Sequence, residues 1–405
     1  MQLLLNKAKE YKAFIVNVFF QMFASFLPIA VLQIIVYPRI ANTLGGDEYG
    51  LMLTIYSIWF LVSSPMSGAI CSARLINNEK YNEANLNGDF SIICKKWLLF
   101  STIICFFVIG YYNAKNGIIS ILLEVIIAVF IFLSDYLECF FRLELNYKDI
   151  FIDKLLISIG YIVGYFVYLL TGFWEYVFLI GYGFSVIHCI LHIRLDCNNS
   201  KTELYLATTR DCKMLLLPSI INGIVSYADK LLLYPLIGGT EVSIYYVATL
   251  IGKITSIVAG SFKDVVLSYI SKNNINNKNL VAKIMTISAF IVCCAYFVIV
   301  IVSNPIINLL YPQWLSEVMV YIPITSMTAM ADVMASVIYP FTLKNCDSKW
   351  QVVFSLASGL AYFSTSLVLL NAYGLIGFCI GNVIGQVVKI ITMIFIYFNK
   401  SVDRG

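Results

Sequence analysis

Long apolar runs alternate with short polar segments along this chain. The apolar runs are about 20 residues long, the length of helix that crosses a hydrocarbon core of about 30 Å. Because a helix satisfies its own backbone hydrogen bonds in lipid, each run is expected to be helical. The pattern predicts about twelve membrane-spanning helices, near residues 13–38, 49–70, 92–112, 118–141, 150–170, 174–193, 213–237, 243–267, 282–302, 317–340, 350–370 and 373–398.

The composition agrees with an all-α polytopic membrane protein. Of the 405 residues, 60% are hydrophobic and only 12% are charged, which excludes a soluble protein. The N-terminal segment MQLLLNKAKEYK is basic, but the apolar run after it is too long for a signal peptide. We therefore expect the first span to be an uncleaved anchor.

The basic residues are distributed unequally between the two sides of the predicted membrane. Of 27 Lys and Arg residues, 22 fall on one side, and only Arg39 and Lys115 fall on the other. Lys230, Lys253 and Lys389 remain inside predicted spans. Because cytoplasmic segments are rich in Lys and Arg, this bias predicts that both termini are cytoplasmic.

A short pattern occurs twice. Tyr-Pro is followed by Gly-Gly in residues 37–46 and again in residues 234–239. About six spans separate the copies, so the two halves are expected to have the same orientation in the membrane. The repeat predicts two six-helix bundles, residues 1–198 and 199–405, related by a pseudo-twofold axis along the membrane normal, with a substrate path between them.

Polar side chains recur at helical spacing inside several spans. A charge at the centre of a bilayer costs about 2.5–3.5 kcal/mol, so such residues are expected to face protein or water. Small polar residues also serve helix packing, and that is the better explanation for Ser219, Ser256 and the glycines at 377, 381 and 385. Lys253 and Lys389 lie too deep to reach the interface easily, which indicates a hydrated cavity.

These stripes supply the candidate site residues. The candidates for substrate binding are Lys253, Lys389, Lys230, Arg39, Tyr246 and Asn222. The candidates for ion coupling, as carboxylates able to titrate inside the membrane, are Asp229, Asp135 and Asp332.

Two local pairings can be judged from helical geometry. Arg142 follows Glu138 by four residues and is placed to neutralise it. Asp229 and Lys230 point about 100° apart on a helix, so they need not pair with each other.

Catalytic and metal-binding motifs are missing from the sequence. It contains no GxSxG, HExxH or P-loop pattern, and the segments between spans are too short for a nucleotide-binding domain. The 11 cysteines form no CxxC pair, and His188 with His192 is expected to be structural. We expect no enzyme activity, no cofactor, no metal site and no nucleic-acid partner.

At this level the chain resembles the O-antigen and polysaccharide (Wzx-type) flippases of the multidrug/oligosaccharidyl-lipid/polysaccharide exporter superfamily. The resemblance covers nearly the whole chain. It rests on the spans in two halves, on YPRIANTLGGDEYG in residues 37–50, on Pro-Met-Ser-Gly in residues 65–68 with Arg74 after it, and on Tyr-Ala-Asp-Lys in residues 227–230.

The resemblance implies a V-shaped pair of bundles that work by alternating access in the bacterial inner membrane. It implies as substrate an undecaprenyl-pyrophosphate-linked oligosaccharide, moved from the cytoplasmic to the periplasmic leaflet. Polysaccharide polymerase machinery is then a candidate partner beside the membrane lipids. The lipid II flippases of the superfamily usually have two more spans than this length accommodates.

Two other functions stay open. A cation-coupled drug or metabolite antiporter of the same architecture is expected to have more carboxylates than lysines inside the membrane, but the candidate residues here are balanced. A membrane-embedded glycosyltransferase or polymerase is expected to have a large periplasmic loop. The longest outward segment, near residues 303–316, is short and argues against that function.

Overall fold

The computed structural model describes residues 20–21, 23–84, 86, 88–193, 201–272, 278–345 and 349–400. These residues are helical almost throughout, and no strand occurs among them. The helices, in chain order, are α1 Phe23–Glu83, α2 Asp89–Tyr112, α3 Gly117–Leu143, α4 Tyr147–Thr171, α5 Glu175–His192, α6 Tyr205–Ile237, α7 Gly239–Lys272, α8 Lys278–Leu310, α9 Leu315–Asn345 and α10 Lys349–Lys400.

The fold is that of a multi-pass membrane protein, as predicted. In the described residues, eight helices are long and apolar enough to cross a membrane, and the bent α6 makes nine if its two halves form one span. Two of the long helices are divided by a glycine with non-helical backbone angles, Gly45 in α1 and Gly374 in α10. The all-α class is confirmed, while the count of twelve spans stays a prediction.

The two copies of the repeat have the same backbone conformation. Gly45 has φ 78° and ψ 177°, and Gly238, its counterpart, has φ 96° and ψ 171°. Residues with a side chain are strongly disfavoured in this region, so glycine is required at both positions. In both copies the residue after this glycine continues directly into a helix.

The repeats also contact each other. A Cβ atom built on Gly50 would overlap the carbonyl of Gly239, and one on Gly239 would overlap the backbone of Asp47. The two backbones can approach this closely only because neither glycine has a side chain. In the second copy, Gly239 therefore serves packing, next to the helix break at Gly238.

The chain divides into two compact units, Met1–Gly239 and Thr240–Gly405. Helix α6 belongs to the first unit, where the Tyr112 hydroxyl donates to the carbonyl of Leu231 at 2.8 Å. The Tyr227 ring also lies 5.9 Å from the ring of Phe60 in α1. The boundary near residue 198 and the pseudo-twofold axis stay predictions.

In the first unit, aromatic side chains and glycines form the helix contacts. Trp59 is fully buried, and its ring lies 5.2 Å from that of Phe178. Helices α4 and α5 approach each other closely at Gly164, where a Cβ atom would fall 2.5 Å from the backbone of Val177. Small residues commonly allow such close approach between helices in membranes.

The second unit has a core of its own, with Phe341, Met393 and Tyr397 among its most buried side chains. The glycines at 377, 381 and 385 pack there against Leu369, Ser366 and Tyr362 of the same long helix, across its break at Gly374. The predicted packing role of these glycines is confirmed.

Candidate functional site

Polar side chains of the second unit come from α7, α9 and α10. Helices α7 and α9 lie in contact at Gly252, where a Cβ would come 2.7 Å from the Cβ of Ala329. Lys253 is the next residue on α7, and Asp332 follows Ala329 by three residues on α9. The absence of a side chain at Gly252 therefore lets two helices that carry charged residues approach each other.

Lys253 is partly buried beside an aromatic ring. Its Nζ lies 5.0 Å from the centroid of the Tyr246 ring, two turns earlier on α7. A cation over a tyrosine ring is stabilised by the quadrupole of the ring, by about 0.5–2 kcal/mol according to burial. The predicted stripe of Tyr246 and Lys253 is thus a direct contact between the two side chains.

Lys389 and Asp332 form an ion pair. Lys389 Nζ lies 3.3 Å from Asp332 Oδ1, and the two side chains are 28% and 32% exposed. The candidate for substrate binding on α10 and the candidate for ion coupling on α9 are therefore partners of each other. Partial exposure leaves both accessible to a polar ligand.

Two amides continue the polar face of α10. Asn382 Nδ2 donates to the Tyr245 hydroxyl at 3.3 Å, which ties α10 to α7. Gln386 lies between Asn382 and Lys389, and its buried Oε1 has no hydrogen-bond partner in the described part of the chain. A buried acceptor without a donor costs about 1–3 kcal/mol, so Gln386 is placed to receive a donor from a ligand or water. Gln386 follows Asn382 by four residues and precedes Lys389 by three, which is the spacing of one helix face, but it was not among the candidate site residues.

In the first unit, Asp229 and Lys230 pair with each other, which the sequence had left open. Lys230 Nζ lies 3.3 Å from Asp229 Oδ1, which also accepts from the Lys230 backbone N–H at 2.9 Å. The reason is the flexible stem of lysine, which bends back although the two Cβ atoms point apart. Both residues are buried, so any contact of Lys230 with a substrate requires this pair to open.

Asp135 is held by two hydroxyl groups of α1. Ser64 and Ser67 donate to its Oδ2 at 2.7 and 3.3 Å. These bonds tie α3 to α1 next to the proline at 65. They fix the orientation of a carboxylate that the sequence marked for ion coupling.

One turn along α3, Glu138 joins two cations. Arg142 Nη2 lies 2.6 Å from Glu138 Oε1, which confirms the predicted pair, and Lys154 Nζ of α4 lies 2.6 Å from Oε2. Lys154 was missed, because the spacing along α3 does not show which residue of another helix will face it.

Arg39 and Asn222 are the remaining candidates for substrate binding. Arg39 is exposed, two residues after Tyr37 in α1. The side chain of Asn222 lies outside the described part of the structure. Binding roles for both residues stay predictions.

A possible ligand set for a metal ion lies between α4 and α5, where none was expected. One atom each of Asp153, His188 and Cys189 lie within 4.8 Å of one another, and all three residues are buried. The Cys189 thiol donates to Asp153 Oδ1 at 3.6 Å, and Lys154 Nζ lies 3.6 Å from Oδ2. The carboxylate thus already has a thiol donor and an ammonium partner, which compete with any metal ion.

Comparison of the fold with solved structures gives several extensive matches. The lipid II flippase MurJ, in an inward closed conformation, superimposes with a TM-score of 0.65 at 17% identity, over 94% of this chain and 86% of the flippase. The MATE transporter VcmN of Vibrio cholerae, in a bent form, gives 0.59 at 12% identity over 96% of both chains. A MATE transporter in a straight conformation gives 0.58 at 14% identity, over 96% of this chain and 94% of the other.

These matches establish the fold. One further match is described as a multidrug resistance MATE family transporter of the MOP superfamily, at 14% identity and a TM-score of 0.57. No protein-family profile matches the sequence. No curated protein matches it either. The chain therefore has the helical architecture of MurJ and the MATE transporters, which are transporters rather than enzymes.

Proposed function

We propose that this chain is a flippase of the bacterial inner membrane, with both termini in the cytoplasm. Its proposed substrate is an undecaprenyl-pyrophosphate-linked oligosaccharide, such as an O-antigen repeat unit, which it moves from the cytoplasmic to the periplasmic leaflet. The observation that carries the proposal is Lys253, a partly buried cation that lies over Tyr246 within a predicted span. The architecture shared with a lipid II flippase supports it.

The chemistry of such a substrate matches these side chains. A pyrophosphate cannot cross hydrocarbon without compensating charge, and a lysine ammonium is a compact cation for phosphate oxygens. Tyrosine offers an apolar face to a sugar ring and a hydroxyl for hydrogen bonds. Gln386 Oε1 is an acceptor for a sugar hydroxyl. The lipid tail stays in the bilayer while the head group crosses by alternating access.

The match leaves more of the lipid II flippase uncovered than the matches with the MATE transporters leave of those proteins. The match covers 86% of the lipid II flippase, whereas it covers 94–96% of the MATE transporters. The polysaccharide polymerase of the same pathway is the proposed partner that receives the product.

The deciding experiment measures surface polysaccharide in a strain that lacks the gene and carries variants of it. We expect Lys253→Gln to reduce surface polysaccharide at least tenfold while the protein still reaches the membrane. Lys96→Gln is the matched control, because Lys96 is an exposed lysine outside the proposed site, and it should restore wild-type levels. Full restoration by Lys253→Gln would show that Lys253 does not act on the substrate.

Lys389 needs a second comparison, because Asp332 is its partner. Comparing the single variant Lys389→Gln with the double variant Asp332→Asn/Lys389→Gln distinguishes two roles of Lys389. If Lys389 binds the pyrophosphate, both variants lose transport. If it only neutralises Asp332, the double variant regains most of the activity, and Lys389 is then removed from the substrate site.

A cation-coupled drug or metabolite antiporter is the second candidate, and the nearly complete overlap with MATE transporters favours it. Here Asp135, Asp229 and Asp332 would exchange protons or sodium ions for a cationic substrate. A deletion strain would become more sensitive to cationic drugs and keep its surface polysaccharide. If the chain is the proposed flippase, the deletion strain should lose surface polysaccharide and keep its resistance to cationic drugs.

A further inference from the structure

A cavity of about 350 Å³ lies within the first unit, away from the residues assigned to transport. It is enclosed by the C-terminal parts of α1 and α3 and the beginning of α2, and Ile190 of α5 also borders it. Its polar lining includes Arg74, Lys95, Asn78 and Asn82, and none of the described residues that line it is a carboxylate. The lining is therefore cationic. The Lys/Arg bias predicts that this end of the unit faces the cytoplasm.

Arg74 differs from the ion-paired cations of the described structure. Its guanidinium lies 4.0 Å from the centroid of the Phe140 ring and 5.5 Å from that of Phe90. Its Nη1 donates to the Tyr136 hydroxyl at 3.4 Å. Arg142, by contrast, has a carboxylate at 2.6 Å, whereas no described carboxylate lies within 4.0 Å of Arg74. Aromatic rings position this guanidinium, and no carboxylate of the described residues pairs with it.

Lys95 supplies a second positive charge at the same cavity. It is exposed and lies at the border of the cavity on α2, one turn after Ser91. A guanidinium in a fixed plane and an ammonium on a flexible stem together suit a phosphate group, which accepts bidentate bonds from arginine and a point charge from lysine.

The surface beside the cavity is apolar. Leu98 and Ile190 line the cavity. Leu99 and Phe100 on α2 and Leu191 on α5 are exposed next to them. On membrane-spanning helices such exposed side chains contact lipid chains. A molecule with its anionic group on Arg74 and its hydrocarbon on α2 and α5 would satisfy both parts of this surface.

We infer that this cavity binds the head group of an anionic phospholipid of the cytoplasmic leaflet. Basic pockets between membrane helices on this side are suited to anionic lipid head groups. The volume suits a phosphate with a small head group and leaves little room for an oligosaccharide, so we assign it to bulk lipid rather than to the transported lipid. The site is independent of the proposed transport function.

The test compares lipid retention by the purified full chain. Wild-type protein, Arg74→Gln/Lys95→Gln and Lys96→Gln/Arg210→Gln are exposed to equal amounts of phosphatidylglycerol and phosphatidylcholine, and retained lipid is measured by native mass spectrometry. Lys96 and Arg210 are exposed basic residues outside the cavity, so the control removes the same charge. We expect the first variant to lose at least fivefold in retained phosphatidylglycerol and the control to lose less than twofold.

Three outcomes would overturn the inference. They are equal retention of the two lipids by wild-type protein, equal losses in the two variants, and displacement of phosphatidylglycerol by an equimolar amount of undecaprenyl phosphate. Arg74→Lys covers the case in which the double variant does not fold, since it keeps the charge and removes the planar group. It should lose part of the retained phosphatidylglycerol, and wild-type retention would count against the site.

Discussion

At the scale of single residues, the described structure compensates most of its internal charges locally. Arg142 and Lys154 share Glu138, Lys230 pairs with Asp229, and Lys389 pairs with Asp332 at 3.3 Å. Removing one member of a buried pair leaves an uncompensated charge, which costs far more than an exposed pair contributes. The two Glu138 contacts allow this difference to be measured within one cluster.

We expect Glu138→Gln to destabilise the protein by about 3 kcal/mol, because Lys154 is only 18% exposed and loses its nearest carboxylate. Arg142→Gln should cost about 1 kcal/mol or less, because the Arg142 side chain is 42% exposed and Lys154 still neutralises Glu138. Unfolding of the two variants in detergent, followed by tryptophan fluorescence, gives the comparison. Equal losses would mean that Lys154 does not depend on Glu138.

The same cluster shows what a sequence can predict at this scale. The pair of Glu138 and Arg142 follows from a spacing of four along one helix. Lys154 does not follow, because helical periodicity tells which face a residue occupies but not which helix faces it. The pairing of Asp229 with Lys230 could not be decided from the sequence for another reason: the direction of a Cβ atom does not limit where a long side chain can reach.

At the scale of helices, glycine decides where the long segments turn and how closely they pack. Gly45 and Gly238 share an unusual backbone conformation, and Gly50 and Gly239 place the two repeats in contact. The sequence indicated both places through the repeated Gly-Gly. It did not indicate that the copies contact each other, because a repeat shows that two segments are equivalent in sequence and not that they are close in space.

We expect Gly239→Ala to destabilise the fold by about 1–3 kcal/mol, since the new methyl group would overlap the backbone of Asp47. Gly45→Ala should destabilise it for a different reason, because there is open space around Gly45 but its φ of 78° disfavours a side chain. Gly68→Ala is the control, with helical backbone and nothing within 4 Å of the added atom. Thermal unfolding in detergent should rank Gly68→Ala as the most stable of the three variants. A Gly239→Ala variant as stable as Gly68→Ala would mean that the repeats are not packed together.

At the scale of the whole molecule, the fold and the direction in which it lies in the membrane follow from different features of the sequence. Apolar runs of spanning length were enough to predict a helical multi-pass protein. The membership of α6 in the first unit was not predicted, because the repeat suggested a boundary before this helix, whereas its contacts to Leu61 and Phe60 of α1 lie far away in sequence. Orientation rests on the distribution of Lys and Arg alone, and reporter fusions can measure it directly.

We expect fusions of alkaline phosphatase after Lys115 and after Gly239 to be active, and fusions after Lys201 and after Gly405 to be inactive. Green fluorescent protein at the last two points should fluoresce, because basic segments are retained in the cytoplasm. The fusions at residues 201 and 405 also serve as an internal control. If both points lie on the same side of the membrane, an even number of spans separates them, whatever the absolute orientation. Opposite sides at these two points would contradict two halves of six spans each. If residues 201 and 405 lie on the same side but every reporter gives the reversed result, two halves of six spans each remain in agreement with the data. The lysine-rich end, including Arg74 and Lys95, would then lie outside the cytoplasm.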